Sequence, residues 1–244
     1  MEFSFDDFKV RARDKELSKW EKIGFPDDYR KLNEKFIFED IVSKCNLTDK
    51  GKKHILDIGC GCSNLVNYLI KFCEKKKYNL DLIDSLEMLD NIKILNNRKF
   101  KNIQKLPGKF PEIENLKNYF EKYDVIIIYS VIQYVFLYQN LYYFLHKSLD
   151  LLKPGGVILI GDIPNNSKRK RFINSPEGLK FNKNIKSKSK YKLINHEDFE
   201  RIDDSVIFSI LQRYRNFNCE TYLLPQNHNL PFSNRREDIL IIKR

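Results

Sequence analysis

The spacing of hydrophobic and polar positions changes along the chain. Residues 4–22 and 29–43 have apolar positions at helical spacing, and Gly, Pro and Asp interrupt the pattern between them. After residue 51, short apolar runs alternate with amphipathic stretches. The runs predict strands at residues 54–58, 78–84, 102–106, 123–129 and 157–162. The amphipathic stretches predict helices at residues 65–76, 86–95, 112–122 and 137–152.

Strands that are apolar throughout and separated by helices indicate a parallel sheet covered on both faces, an α/β fold. A helix at 203–216 and strands at 219–224 and 238–243 follow, and the last two predict an antiparallel hairpin. We therefore expect one domain over residues 1–244. Its predicted parts are N-terminal helices at 1–50, a core at 51–162, a basic insertion at 163–200 and a C-terminal helix with hairpin at 201–244.

Composition indicates a globular protein in a reducing compartment. The 244 residues are 42% hydrophobic and 13% aromatic, which is enough to build a sizeable core. The first residues lack the pattern of a signal peptide, and no apolar run approaches the length of a membrane span. The five cysteines are odd in number and include no Cys-x-x-Cys pair. These features predict a cytoplasmic protein with reduced thiols.

The positive charge is concentrated in one segment. The chain has 44 Lys and Arg against 33 Asp and Glu, a net charge of +11. Ten basic residues and one acid, Glu177, lie between Lys168 and Lys192, a net of +9. A further pair, Arg235 and Arg236, follows in the predicted hairpin. This distribution favours an anionic ligand near two particular loops rather than a uniformly basic surface, and a solvated loop that serves solubility is the alternative for the Lys168–Lys192 run.

A glycine-rich loop follows the first strand. The sequence Asp57-Ile-Gly-Cys-Gly-Cys-Ser63 opens the next helix, where glycines let a ligand approach the backbone and the helix terminus supplies N–H donors. A dinucleotide fingerprint requires glycine at the position of Asn64, so that pattern fails. The acid two residues before the first glycine favours a cationic ligand.

The ordered motifs resemble those of class I S-adenosylmethionine-dependent methyltransferases. The marks are the loop after Asp57, the acid Asp84 at the end of the second strand, the segment 123–135 and the Leu-Leu-Lys-Pro-Gly-Gly entry to the fifth strand at 151–156. The resemblance covers roughly residues 50–162 and the closing hairpin. It implies a Rossmann-like, mostly parallel sheet of seven strands in the order 3-2-1-4-5-7-6, with helices on both faces. It also implies methyl transfer from S-adenosylmethionine, with S-adenosylhomocysteine as the product.

The resemblance places candidate residues along one edge of this sheet, with residues 1–50 as a lid. The implied cofactor-binding residues are Asp57, Gly59, Cys60, Gly61, Asp84, Ser85, Met88 and Ser130 in the core, and Arg13 and Trp20 in the lid. The candidate catalytic residues are Gln133, Tyr134, Asp162 and His228, with His196 as another candidate base. The candidate substrate-binding residues are Tyr29, Arg235 and Arg236. No metal is expected, since Asp162 is the lone acid near the later strands.

A second resemblance concerns the acceptor. Residues 17–26, 57–63 and 230–240 are similar to methyltransferases of bacterial surface-polysaccharide clusters, including those tied to O-methyl phosphoramidate decoration of capsules. It implies O-methylation of a small anionic acceptor that bears phosphate or phosphoramidate and is linked to a sugar or a nucleotide. Neither Asn/Asp-Pro-Pro-aromatic nor Pro-Cys is present to favour two common chemistries on nucleic-acid bases. An RNA methyltransferase and a fold-related binding protein without turnover remain the alternatives, and no membrane partner is expected.

Overall fold

The computed structural model describes residues 3–93, 102–186 and 201–244. The strands are β1 (His54–Ile58), β2 (Asn79–Asp84), β3 (Ile103–Pro107), β4 (Tyr123–Tyr129), β5 (Leu152–Pro164), β6 (Cys219–Pro225) and β7 (Arg236–Lys243). The helices before β3 are α1 (Phe5–Arg13), α2 (Lys19–Lys22), α3 (Asp27–Arg30), α4 (Glu34–Lys44), α5 (Asn64–Lys76) and α6 (Leu86–Asp90). The later helices are α7 (Ile132–Tyr138), α8 (Leu141–Leu151), α9 (Asn166–Ile173), α10 (Pro176–Lys186) and α11 (Asp204–Arg215).

Within these described residues the strands form one seven-stranded sheet in the order β3-β2-β1-β4-β5-β7-β6. Strand β7 runs antiparallel to both of its neighbours, and the pairs from β3 to β5 are parallel. The order predicted from the sequence is confirmed. The carboxyl ends of β1, β2, β4 and β5 therefore lie along one edge of the sheet, where ligands bind in open α/β folds.

The hydrophobic core has two halves, one on each face of the sheet. Leu56 of β1 and Ile126 of β4 pack toward α7, α8 and α11. Their neighbours Ile55 and Ile127 point to the other face and pack toward α4 and α5. All four side chains are almost fully buried. Alternate side chains of a strand point to opposite faces, so a strand buried on both faces must be apolar throughout.

The N-terminal segments are more divided than the periodicity predicted. The single helix expected at 4–22 is two helices, α1 and α2, each beginning at a capping box formed by Ser4 with Asp7 and by Ser18 with Glu21. In a capping box the serine oxygen and the acid satisfy N–H groups that a helix start leaves without partners. The helix expected at 29–43 is likewise two helices, α3 and α4.

Three later elements also differ from expectation. The helix predicted at 112–122 is only a 3-10 turn at Leu116–Tyr119, bounded by positive φ at Asn115 and Glu121. The helix predicted at 137–152 is divided between α7 and α8, and β5 already begins at Leu152. Helix α6 ends at Asp90, short of the predicted 86–95, whose last two residues lie outside the described residues.

The basic segment at 163–200 contains helices α9 and α10. Residues 187–200 lie outside the described residues, and they include the end of the Lys168–Lys192 run and the candidate base His196. Among the residues that the structure describes, no helix has the length and apolar character needed to cross a bilayer.

Candidate active site

The loop after β1 needs glycine at two positions. Gly59 and Gly61 have φ of +73° and +62°, a backbone region that residues with a Cβ rarely adopt. A Cβ on Gly59 would lie 2.6 Å from Val131 Cγ2, and one on Gly61 would lie 2.8 Å from Ile23 Cγ2. The loop is thus packed between the end of β4 and the N-terminal segment, with no space for larger side chains.

Two buried carboxylates flank this loop. The Gly61 N–H donates to Asp84 Oδ2 at 2.9 Å, and the Ser85 N–H donates to Asp84 Oδ1 at 2.7 Å. Burial raises the pKa of Asp84 to about 6 despite these bonds. Burial and then the Asp84 charge raise the pKa of Asp57 to about 7. Two carboxylates that are costly to ionise in the free protein form a site that a cationic, hydroxyl-bearing ligand would stabilise.

A cavity of about 210 Å³ opens beside the loop at the carboxyl edge of the sheet. Most of its wall is apolar or aromatic, and Phe5, Phe8 and Phe25 of the N-terminal segment close one side. The predicted cofactor-binding residues that line it are Asp57, Gly59, Cys60, Gly61, Asp84, Met88 and Ser130. These residues follow the ends of β1, β2 and β4, and they meet at the cavity because the carboxyl ends of parallel strands lie at the same edge of the sheet.

Cys60 and Ser85 have ordinary structural explanations within this arrangement. Burial, followed by the Asp84 and Asp57 charges, raises the pKa of the Cys60 thiol, so it remains a neutral small side chain in the loop. Ser85 is buried outside the cavity lining, and its Oγ accepts the Met88 N–H at 3.2 Å at the start of α6.

The two lid residues predicted to bind cofactor lie outside the cavity lining. Arg13 is largely exposed and pairs with Glu87 on α6. Trp20 is buried, and its indole N–H donates to Glu34 Oε2 at 3.0 Å. Both residues join the N-terminal helices to each other or to the core, and the geometry gives them a packing role.

Sequence reasoning missed Arg30, the arginine that does line the cavity. It is 3% exposed, its Nη1 donates to Ser130 Oγ at 3.3 Å, and its guanidinium lies 4.6 Å from the Phe25 ring centroid. Its Nε has no hydrogen-bond partner and lies 3.7 Å from Glu34 Oε1, which also has none. No sequence motif marks Arg30, because its position depends on α3 folding against a strand 100 residues away.

Asp162 is the centre of a polar network at the end of β5. Its Oδ2 accepts from Ser130 Oγ at 2.5 Å and from Arg236 Nη1 at 2.6 Å, and its Oδ1 accepts from Gln226 Nε2 at 3.2 Å. Its backbone N–H donates to the buried Asp238 at 2.8 Å. Asp162 does not line the large cavity, and donors already occupy both of its oxygens. This candidate base is placed to orient Ser130 and the arginines.

The other candidate catalytic residues differ in position. Tyr134 lines the cavity, and its ring packs edge-on against Phe8 at 5.1 Å. Gln133 lies outside the lining, with its Nε2 donating to the Ser130 carbonyl at 2.9 Å and its buried Oε1 without a partner. His228 is exposed on the loop between β6 and β7, away from the cavity lining.

Three rings, those of Phe25, Tyr29 and Phe232, stack in a row. Of the predicted substrate-binding residues, Tyr29 is the middle ring of this row, and Arg235 and Arg236 lie at its end. The Phe25 and Tyr29 centroids are 5.6 Å apart, and those of Tyr29 and Phe232 are 4.2 Å apart. The Arg235 guanidinium packs over Phe232 at 4.0 Å. Arg236 also approaches Phe232, but its charge is paired with Asp162. Of these residues only Phe25 lines the cavity, so the row of rings connects the cavity to Arg235.

The described residues contain no group of three or more His, Cys, Asp and Glu side chains that could hold a metal ion. The charged side chains that line the cavity are Asp6, Arg30, Asp57, Asp84 and Lys109, and those at the strand ends are divided by position. Carboxylates lie at the β1 and β2 end and Arg30 at the β4 end. The arrangement suits a ligand whose cationic and hydroxyl groups face β1 and β2 and whose neighbour near β4 is an anion.

Comparisons with known proteins agree with this geometry. Residues 56–158 match a family described as "Methyltransferase domain". The solved plantazolicin methyltransferase BpumL, in complex with a triazolic desmethylPZN analog and SAH, is 17% identical with a TM-score of 0.59, and 98% of each chain is covered. A SAM-dependent methyltransferase from Aquifex aeolicus is 15% identical with a TM-score of 0.60, and 100% of each chain is covered.

A third solved structure, the methyltransferase domain of bacterial-CtHen1-CN, is 15% identical with a TM-score of 0.57, covering 87% of this chain and 99% of that one. No curated protein sequence matches the chain. The family match spans the glycine loop, Asp84 and β4, and confirms the enzyme class expected from the sequence. Residues 56–158 therefore match a methyltransferase domain, and the described residues have the fold of solved S-adenosylmethionine-dependent methyltransferases.

Proposed function

We propose that the protein transfers a methyl group from S-adenosylmethionine to an oxygen of a small anionic acceptor. The observation that carries the proposal is the cavity at the ends of β1, β2 and β4, with Asp57 and Asp84 on one side and Arg30 on the other. Each Asp84 oxygen accepts one backbone N–H, and its second lone pair would accept a hydrogen bond from a ribose diol. Asp57 would be stabilised by a cationic amino acid group of the ligand.

Methyl transfer from a sulfonium is an in-line displacement that depends mainly on alignment. With the cofactor over β1 and β2, its methyl group would face Ser130 and Tyr134 at the end of β4. Arg30 is held between Ser130 and the Phe25 ring, and it also lies 3.8 Å from Asp162 Oδ2 and 3.7 Å from Glu34 Oε1. Because it lines the cavity, its remaining N–H groups would bind an anionic group beside that methyl group. An acceptor oxygen that is already ionised needs no general base, and the described part of the cavity lining contains no histidine.

The acceptor is proposed only by its chemical class. Phosphate esters, phosphoramidates and carboxylates all belong to this class, and the capsule phosphoramidate expected from the sequence is one member of it. The solved relatives of this fold act in varied settings, one named for plantazolicin and another for Hen1, so the fold does not select an acceptor.

A methyl-transfer screen tests the proposal. The protein is incubated with S-adenosylmethionine and with phosphorylated sugars, nucleotides, phosphoramidates, carboxylates or RNA, and S-adenosylhomocysteine release is measured. We expect turnover with a small anion and its loss in Asp84→Asn. Turnover confined to RNA would replace the proposed acceptor with RNA, and binding of S-adenosylmethionine without turnover on any acceptor would favour a binding protein.

A further inference from the structure

Two arginines beside the hairpin have no carboxylate partner among the residues that the structure describes. Arg169 on α9 and Arg235 before β7 are half-buried, and no carboxylate of the described residues forms a salt bridge with either. Their basic neighbours differ in this respect. Lys168 pairs with Glu237 at 3.6 Å, Arg171 pairs with Asp204, and Arg236 pairs with Asp162 at 2.6 Å.

The guanidiniums of Arg169 and Arg235 belong to one surface. The N–H of Asn165, which caps α9, donates to the Arg235 carbonyl at 3.1 Å, so the first turn of α9 lies against the start of β7. Burial lowers the pKa of Arg235 to about 10, and the charges of Arg236 and Arg169 contribute. Burial and the charge of Arg201 likewise lower the pKa of Arg169. Arg235 thus lies near the positive charges of Arg236 and Arg169, and Arg169 lies near that of Arg201.

This arrangement destabilises the free protein. A partly desolvated cation without a counter-charge raises the free energy of the folded state. Arg169 also lies in the first turn of α9, where the positive end of the helix dipole disfavours a cation. The ligand that best relieves all these repulsions is a doubly charged oxyanion, because guanidinium groups bind phosphate through paired hydrogen bonds.

We propose that Arg169 and Arg235 form a binding site for a phosphate group of the acceptor, at the outer end of the ring row that leads from the cavity. The inference rests on the proposed function and narrows its acceptor class. The acceptor is then a phosphorylated small molecule whose methyl-accepting group enters the cavity beside Arg30, while a phosphate group binds at the hairpin. The sequence predicted that Arg235 and Arg236 bind substrate. The proposed phosphate site keeps Arg235 and uses Arg169 instead of Arg236, because Asp162 already neutralises the charge of Arg236.

Calorimetric titration with inorganic phosphate tests this site in the full chain. Arg169→Gln and Arg235→Gln should each weaken phosphate binding at least about tenfold, the loss expected for a charged hydrogen bond. The matched control is Arg213→Gln, which removes the same charge from α11, where Arg213 packs over Tyr142. It should bind phosphate as the wild type does. In phosphate-free buffer Arg169→Gln should also raise the melting temperature, because it removes a repelled charge. If Arg169 had a purely structural role, the same substitution would lower the melting temperature.

Two results would overturn the phosphate site: equal affinity in wild type and both variants, or no phosphate binding by the wild type. If single-stranded RNA binds with a steep salt dependence while phosphate does not, the surface is an RNA site instead. Titrations with S-adenosylmethionine distinguish failure of the phosphate site from failure of the proposed function. The wild type and both variants should bind the cofactor equally, whereas a wild type that fails to bind it refutes the proposed function and leaves the phosphate result intact.

Discussion

The backbone N–H of Gly61 donates to Asp84 Oδ2 at 2.9 Å, which joins the glycine loop after β1 to the carboxylate at the end of β2. The two groups are 23 residues apart in sequence. The bond fixes the loop and orients one carboxylate oxygen before any ligand is present. The site is therefore preorganised for a ligand that lies across both strands, and preorganisation reduces the entropy lost on binding.

Asp84→Asn should weaken binding of S-adenosylhomocysteine by about tenfold to about a hundredfold, because an amide replaces a charged acceptor of hydrogen bonds. Equilibrium dialysis measures the change. The control is Asp90→Asn at the exposed end of α6, which removes an equal charge and should leave the affinity unchanged. Equal affinity in Asp84→Asn and wild type would exclude Asp84 from the cofactor site.

The raised pKa of Asp57 makes stability depend on pH in a defined direction. Its folded pKa of about 7 lies above the unfolded value of 3.8, so the folded state binds more protons between these values. The contribution of Asp57 to the free energy of unfolding is therefore lost as pH rises through this window. Asp57→Asn should gain stability relative to the wild type between about pH 4 and about pH 7, as measured by urea unfolding. If the difference in free energy of unfolding between Asp57→Asn and the wild type stays constant or falls as pH rises, Asp57 is not a buried carboxyl with a raised pKa.

Gly59→Ala should destabilise the protein more than Gly155→Ala. Both glycines have similar positive φ, +73° and +77°, so both substitutions carry a backbone cost of about 1–2 kcal/mol. Only Gly59 adds a contact of 2.6 Å with Val131, whereas the space around Gly155 is open. Overpacking should add about 1–3 kcal/mol to the free energy lost by Gly59→Ala. Equal losses in denaturant unfolding would show that the loop can move away from Val131.

Asp162→Asn should destabilise the fold by up to about 3 kcal/mol, since it leaves the partly buried Arg236 without its carboxylate. Unfolding curves and initial rates of methyl transfer test this variant. A stable but inactive Asp162→Asn variant would identify Asp162 as the catalytic base.

His228→Ala should change neither the stability nor the rate of methyl transfer, since the imidazole is exposed and outside the cavity lining. The same two measurements test this variant. An inactive, folded His228→Ala variant would assign the role of catalytic base to His228.

The sheet could be predicted because strands buried on both faces leave an unambiguous apolar pattern. Strands β1 and β4 begin and end at the predicted residues, whereas the strand order and the choice of Asp84 came from the family resemblance. The N-terminal helices were harder, since periodicity alone merged α1 with α2. The capping residues Ser18 and Glu21 were the sequence signal that separates them.

The acceptor side of the site depends on contacts that sequence patterns do not record. Arg30 and Ser130 meet only after α3 packs against the sheet, and Arg13, chosen from the same segment, points to Glu87 instead. Arg236 was likewise predicted to bind substrate, but its charge is paired with Asp162. Local motifs therefore located the proposed cofactor site, whereas the proposed acceptor site required the packed structure.

The central claim is that this cavity binds S-adenosylmethionine, and calorimetric titration of the wild-type chain with that compound tests it most directly. We predict saturable binding to a single site, with prior addition of S-adenosylhomocysteine abolishing the heat. Absence of binding, or binding that S-adenosylhomocysteine does not displace, would contradict the account.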